Sequence, residues 1–189
     1  ILNSGMGSRM GVLTSEHPKC MTEVSSRETI LSVLSQLVDM LEERKLAFGY
    51  LEQETGKSCP NIDTYNRLNP EHTFSRVLVV CDELAEVTDT TGMDKPNKEL
   101  VNAIVGKLGT LARLGRAFGI HLIMATQRPD AAVVPGQIKN NADVRVCGRA
   151  DNVLSTIIMD NGDAADLPKD IPGRFITNLD GGTIFQGYM

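Results

Sequence analysis

Apolar residues recur at helical spacing early in the chain, at Ile30, Leu31, Leu34, Leu37, Val38 and Leu41. The charged run Glu42-Glu43-Arg44-Lys45 follows, so the pattern predicts an amphipathic helix packed on one side. Its start is predicted near Ser25, which with Glu28 three residues later offers a capping box. Gly56 to Pro70 holds Cys-Pro, Asn, Asp and Pro and reads as a connecting loop. Arg76-Val77-Leu78-Val79-Val80-Cys81 is a short unbroken apolar run, suited to a strand buried on both faces of a parallel sheet. Thr88 to Asn97 is polar, with Gly92 and Pro96. A second long helix is expected from about Lys98 to Phe118, closed by Gly119.

Ile120 to Thr126 forms the next apolar run and predicts a second buried strand. Pro129 and Pro135 punctuate a loop, Val144 to Cys147 suits a third strand, and Asn152 to Met159 reads as helical. Gly173 to Thr177 and Thr183 to Gly187 flank Asp180-Gly181-Gly182, a strong hairpin turn. Together these predict an α/β fold, a largely parallel sheet flanked by helices with a C-terminal β-hairpin. Residues 1–24 show no clear period, and the chain carries no internal repeat or low-complexity tract.

The 189 residues suffice for one sizeable domain with a buried core. Trp is absent and aromatics make up 4 %, so the core is expected to rest on aliphatic side chains. A net charge of -5 gives no overall basic footprint for nucleic acid. Cys20, Cys59, Cys81 and Cys147 form no CxxC pair and have no His at metal-ligand spacing, which signals neither zinc nor a disulfide framework. Cys81 and Cys147 sit in apolar runs and read as buried thiols of a reducing, cytoplasmic protein. No apolar stretch reaches the roughly 20 residues that span a bilayer. Ile1-Leu2-Asn3-Ser4-Gly5 has neither an initiator Met nor a signal-peptide pattern, so the chain reads as starting in mid-domain.

Candidate chemistry gathers where the two apolar runs stop, at Asp82-Glu83 and at Gln127-Arg128. Ligands bind at the carboxyl ends of strands in open parallel sheets. An Asp at such an end suits a water-mediated contact to Mg²⁺, which keeps several of its waters; that role fits Asp82. Glu83 can polarise an attacking water as general base, and Gln127 can orient that water or sense a γ-phosphate. The plainer alternative is that Asp82 and Glu83 cap the helix that follows.

The stretch Val77-Leu78-Val79-Val80-Cys81-Asp82-Glu83-Leu84-Ala85-Glu86 resembles the Walker B strand of FtsK/SpoIIIE ATPases. Gly119-Ile120-His121-Leu122-Ile123-Met124-Ala125-Thr126-Gln127-Arg128-Pro129 looks like that family's sensor strand. Pro135-Gly136-Gln137-Ile138-Lys139-Asn140-Asn141 is similar as well. The specific part of the likeness runs from about Arg76 to Gly187, while residues 26–66 match loosely. The resemblance implies a RecA-like P-loop ATPase core, with residues 1–189 a partial motor domain from the Walker B strand onward. It further implies ATP and Mg²⁺ as cofactors, and a homo-oligomeric, usually hexameric ring with ATP between subunits. Such a ring can keep its cations on a few loops facing a pore, so the net charge does not exclude double-stranded DNA. Any membrane contact would come through regions outside this chain.

In related motors an arginine near the end of the helix before the sensor strand reaches the neighbour's γ-phosphate; Arg116 matches that position, and Arg113 is a second candidate. Arg128 and Arg149 are candidate nucleotide contacts, with loop anchoring and an ion pair with Asp151 as their alternatives. His121 reads as a packed histidine. Lys139 and Arg145 are weak candidates for a DNA path.

A phosphate loop reads GxxxxGK[ST], and the chain contains no such string. Gly5-Met6-Gly7-Ser8-Arg9-Met10-Gly11 lacks the Lys-Ser/Thr, and Gly56-Lys57-Ser58 lacks the leading glycine. In the family that loop lies upstream, so this chain alone is expected to be inactive. The reading is a DNA-translocating ATPase of conjugation or segregation. Its rivals are a protein-secretion ATPase of the EssC/EccC kind and a degenerate, non-hydrolysing assembly module.

Overall fold

The computed structural model describes residues 26–130 and 133–187, and the chain divides into two units, residues 1–125 and 126–189. In the first unit, α1 (Arg27–Thr55) starts one residue later than the pattern predicts. Ser26 is its cap, the Oγ accepting the Thr29 N–H at 3.2 Å; Ser25 lies outside the described residues. The helix runs straight through the charged stretch because its buried stripe is Leu34, Leu37, Leu41, Arg44, Phe48 and Leu51. Arg44 falls on that stripe, not on the solvated face. Gly56, in the left-handed region at φ 67°, ends the helix.

The segment expected as a loop contains α2 (Ile62–Leu68). Asn61 caps it by accepting the Thr64 N–H at 2.9 Å, and Ile62 and Tyr65 are buried. β1 (Val77–Cys81) leads into α3 (Leu84–Thr88) and then α4 (Lys95–Leu114). α4 begins three residues earlier than expected, because Asp94 caps it and Pro96 occupies the first turn, where a missing N–H costs little. Its buried stripe Val101, Ile104, Leu108 and Leu111 faces α1. β2 (Ile120–Met124) lies parallel to β1 in the register Val77↔Ile120 through Cys81↔Met124. The expected burial on both faces is not found: Val80 and its partner Ile123 are 55 % and 52 % exposed.

Aromatic side chains matter more than their number suggests. Phe48, Tyr65, Phe74 and Phe118 are four of the eight aromatics, and they gather at the leading ends of the two strands. Phe48 stands 4.9 Å from Tyr65 and 5.0 Å from Phe118, centroid to centroid, and Tyr65 stands 4.7 Å from Phe74.

The second unit holds α5 (Gly136–Lys139), β3 (Val146–Gly148), α6 (Asn152–Met159), β4 (Arg174–Thr177) and β5 (Thr183–Gln186). β4 and β5 form the expected hairpin, whose turn carries positive φ at Asp180, Gly181 and Gly182. β3 joins this hairpin antiparallel instead of extending the parallel pair. Cys147, Met159, Ala164, Leu167 and Ile176 form its small core. Among the described residues no helix is long and apolar enough to cross a membrane.

Candidate nucleotide-binding edge

The two parallel strands finish together, and the chain beyond them is tied across. The Ala125 N–H donates to the Cys81 carbonyl at 2.8 Å, and the Leu84 N–H donates to the Ala125 carbonyl at 2.7 Å. The turn that carries Asp82 and Glu83 is therefore hooked to the trailing end of β2. Asp82 is exposed there, and its side chain accepts no hydrogen bond and forms no ion pair among the described residues. A lone carboxylate open to solvent at a strand end is the donor a hydrated Mg²⁺ needs, since that ion takes few protein ligands and keeps its waters. Among the described residues there is no group of three or more His, Cys, Asp or Glu side chains that could hold a metal ion.

Glu83 is half-buried and caps α3, its Oε1 accepting the Ala85 N–H at 3.1 Å. The capping alternative thus holds for Glu83 and not for Asp82. The cap orients the carboxylate at the head of α3. Burial pushes the adjacent Cys81 thiol up, and the negative charges of Glu83 and Asp82 add to the rise.

Arg113 and Arg116 are exposed, Arg113 in the last turn of α4 and Arg116 in the turn leading into β2. That turn adjoins the leading end of the strand pair, whereas Asp82 follows the trailing end. Five strand residues separate the two ends by about 16 Å, beyond an arginine's reach. Arg116 therefore does not reach its own Asp82 edge.

Gln127 and Arg128 open the second unit, both exposed; the Arg128 N–H donates to Thr126 Oγ1 at 3.0 Å. Arg149 does not reach for Asp151, which caps α6 by accepting the Leu154 N–H at 2.8 Å. Its Nη1 instead donates to the Leu167 carbonyl and, at 3.2 Å, to the Ala165 carbonyl, bracing the turn after α6. Lys139 and Arg145 both close on Asp160, at 2.5 and 2.6 Å, so their charges are held within the unit. Those two contacts hold the Asp160 carboxyl below the usual carboxylate range. His121 is half-buried on β2, and its Nε2 has no partner among the described residues.

The residue that periodicity could have found is Arg44. It is 2 % exposed, and the spacing 34, 37, 41, 44, 48, 51 runs across the charged stretch. Its Nη1 donates to the Phe118 carbonyl at 2.5 Å and its Nη2 to the Ser75 carbonyl at 2.8 Å. Burial pulls its pKa below the ordinary guanidinium value.

No protein-family model matches the chain. The DNA translocase FtsK of Chlorobaculum tepidum is 33 % identical over 145 residues, 76 % of this chain and 16 % of the relative. The ESX secretion system protein EccC of Geobacillus thermodenitrificans is 27 % identical over 94 % of this chain and 10 % of the relative. Among solved structures, the pCW3 conjugation coupling protein TcpA, a monomer form with ATPγS, superposes with a TM-score of 0.77 at 40 % identity. That match covers 87 % of this chain and 45 % of TcpA. The chain thus spans less than half the length of each of these proteins. The order of apolar strand, acidic pair, helix and second strand, the parallel register and these likenesses agree: the chain belongs to the FtsK/SpoIIIE family.

Proposed function

We propose that this chain is the Walker B and sensor part of an ATP-driven motor that moves double-stranded DNA, in conjugative transfer or segregation. The observation that carries the reading is the trailing edge of the strand pair, where solvent-open Asp82 stands beside the oriented carboxylate of Glu83. Asp82 would hold Mg²⁺ through water, and Glu83 would take the proton of the attacking water. Gln127 is assigned to orienting that water, with Arg128 a further contact to phosphate. Bound Mg²⁺ would neutralise charge developing on the phosphate oxygens. The described residues would supply the metal-side acid and the base, and the sequence holds no GxxxxGK[ST] string, so we assign the phosphate cradle to another part of the protein. Arg116, remote from its own Asp82 edge, acts on the nucleotide of the next subunit in a homo-oligomeric ring, six-membered by analogy with such motors. Such a finger contributes on the order of 10³-fold or more in rate. The motor works in the cytoplasm, with any membrane attachment outside this chain.

The test is ATP turnover, with and without double-stranded DNA, by this chain and by the complete protein that carries it. No turnover by the chain, DNA-stimulated turnover by the complete protein, and loss of that turnover in Glu83→Gln are expected. Turnover by the chain alone would refute the division of labour. The likeness to EccC favours a second reading, secretion. Turnover indifferent to DNA and stimulated by a secreted protein would establish it.

A further inference from the structure

Arg44 carries a charge into the protein with no acid to meet it. It forms no ion pair among the described residues, and its guanidinium stands 5.1 Å over the Phe74 ring. A buried, unpaired charge is costly, and a Leu or Met would fill the stripe of α1 more cheaply. What neither can supply is a planar fork of donors. The two carbonyls that receive the fork, Ser75 and Phe118, each lie two residues before a strand, β1 and β2 respectively. The next bond along, from the Val77 N–H at the start of β1 to the carbonyl of Gly119, the residue before β2, is 2.8 Å.

The strands alone define their offset weakly. Val77-Leu78-Val79-Val80-Cys81 against Ile120-His121-Leu122-Ile123-Met124 offers similar aliphatics at neighbouring positions. A slip of two residues would keep every side chain on its face. It would also move Asp82 along β2 by about 7 Å.

We propose that Arg44 is a positioning residue: by bridging Ser75 and Phe118 it fixes the offset of β1 against β2, and so holds Asp82 and Glu83 at the Ala125 end of β2. It touches no nucleotide, and its importance for hydrolysis rests on the nucleotide reading above.

The test uses the complete protein with Arg44→Lys, which keeps the charge but reaches one carbonyl at a time, and Arg44→Met, which keeps the stem alone. Amide exchange is read at Ala125 and Leu84, whose N–H groups close the far end of the pair, and along α1 and α4. In folded Arg44→Lys, exchange at Ala125 and Leu84 is expected to quicken about tenfold or more while the helices keep their protection. ATP turnover should fall about tenfold in kcat with KM within about threefold, the signature of a misplaced reacting group and not of lost binding. Arg44→Met should do the same more strongly. Unchanged exchange at Ala125 and Leu84 overturns the proposal whatever the turnover does. So does a uniform rise across the helices, or loss of the fold in both variants, since Arg44 would then be a stabiliser only. A parent protein without ATPase activity would sink the nucleotide reading, and the exchange pattern would still decide Arg44.

Discussion

Gly119 is where the leading end of β2 is most tightly built, and Gly119→Ala should be among the costliest small substitutions in the first unit. Its φ of 75° is left-handed, a region that costs an L-residue with a Cβ about 1–2 kcal/mol. A Cβ built there would stand 2.4 Å from Ile62 Cδ1 and 3.3 Å from both Ile62 Cγ2 and the Arg44 Nη1. Ile62 is 2 % exposed and belongs to the aromatic cluster of Phe48 and Tyr65, so its side chain has no solvent to move into. Overpacking of that kind costs about 1–3 kcal/mol, which brings the expected loss to about 2–5 kcal/mol. Gly106→Ala is the matched control. That glycine lies exposed inside α4 with nothing within 4 Å of its added Cβ, and the change should stabilise by about 1 kcal/mol from helix propensity. Urea unfolding followed by far-UV circular dichroism gives both values, provided the two m-values match. A Gly119→Ala variant within about 0.5 kcal/mol of the parent, or a Gly106→Ala variant equally destabilised, would refute the argument from space and backbone sign.

Two further outcomes are expected. Asn66 donates through Nδ2 to the Phe74 carbonyl at 2.9 Å and accepts the Phe74 N–H at Oδ1 at 2.8 Å. Asn66→Ala should therefore destabilise by about 2–3 kcal/mol in the same unfolding assay, and Asn66→Asp, which keeps the acceptor, by less. Asp160 should titrate below an ordinary aspartate in an NMR pH titration, because Lys139 and Arg145 hold its charged form. Its native pKa is depressed, so whatever stability the contact gives is present above the unfolded value and is lost as pH falls through the native one. Lys139→Ala should move the midpoint up, and an unmoved midpoint would count against the contact.

The two parallel strands and the polar residues at their ends were easier to read from sequence than the scaffold around them. Both apolar runs end abruptly in polar side chains, so the strands and the residues at their ends follow from hydrophobicity alone. α2 is hidden for the opposite reason. Asn61, Asp63 and Asn66 are turn formers by composition, and the helix exists because Ile62 and Tyr65 find an aromatic cluster assembled from distant residues. Arg44 was hidden by its neighbours: Glu42, Glu43 and Lys45 are exposed, and only continuation of the stripe sets it apart. Three residues of β3 carry no period long enough to say whether the partner strand runs parallel or antiparallel.

These devices share a location, which bears on how the other end can work. Arg44, Gly119, Asn66 and the aromatic cluster all bind the leading ends of β1 and β2. At the trailing ends, beyond the β1–β2 ladder, the Ala125 N–H bonds the Cys81 carbonyl, the Leu84 N–H bonds the Ala125 carbonyl, and Glu83 caps α3. A carboxylate engaged by fixed cations or donors would be stabilised, but it would be taken from a metal's water shell. Anchoring the strands from the opposite end lets Asp82 remain open to solvent without loosening the backbone that carries it. Substitutions at the leading end should accordingly disturb Asp82 only through the strand offset. Replacing Asp82 by Asn should leave the fold's stability nearly untouched, since that carboxylate contributes no contact among the described residues.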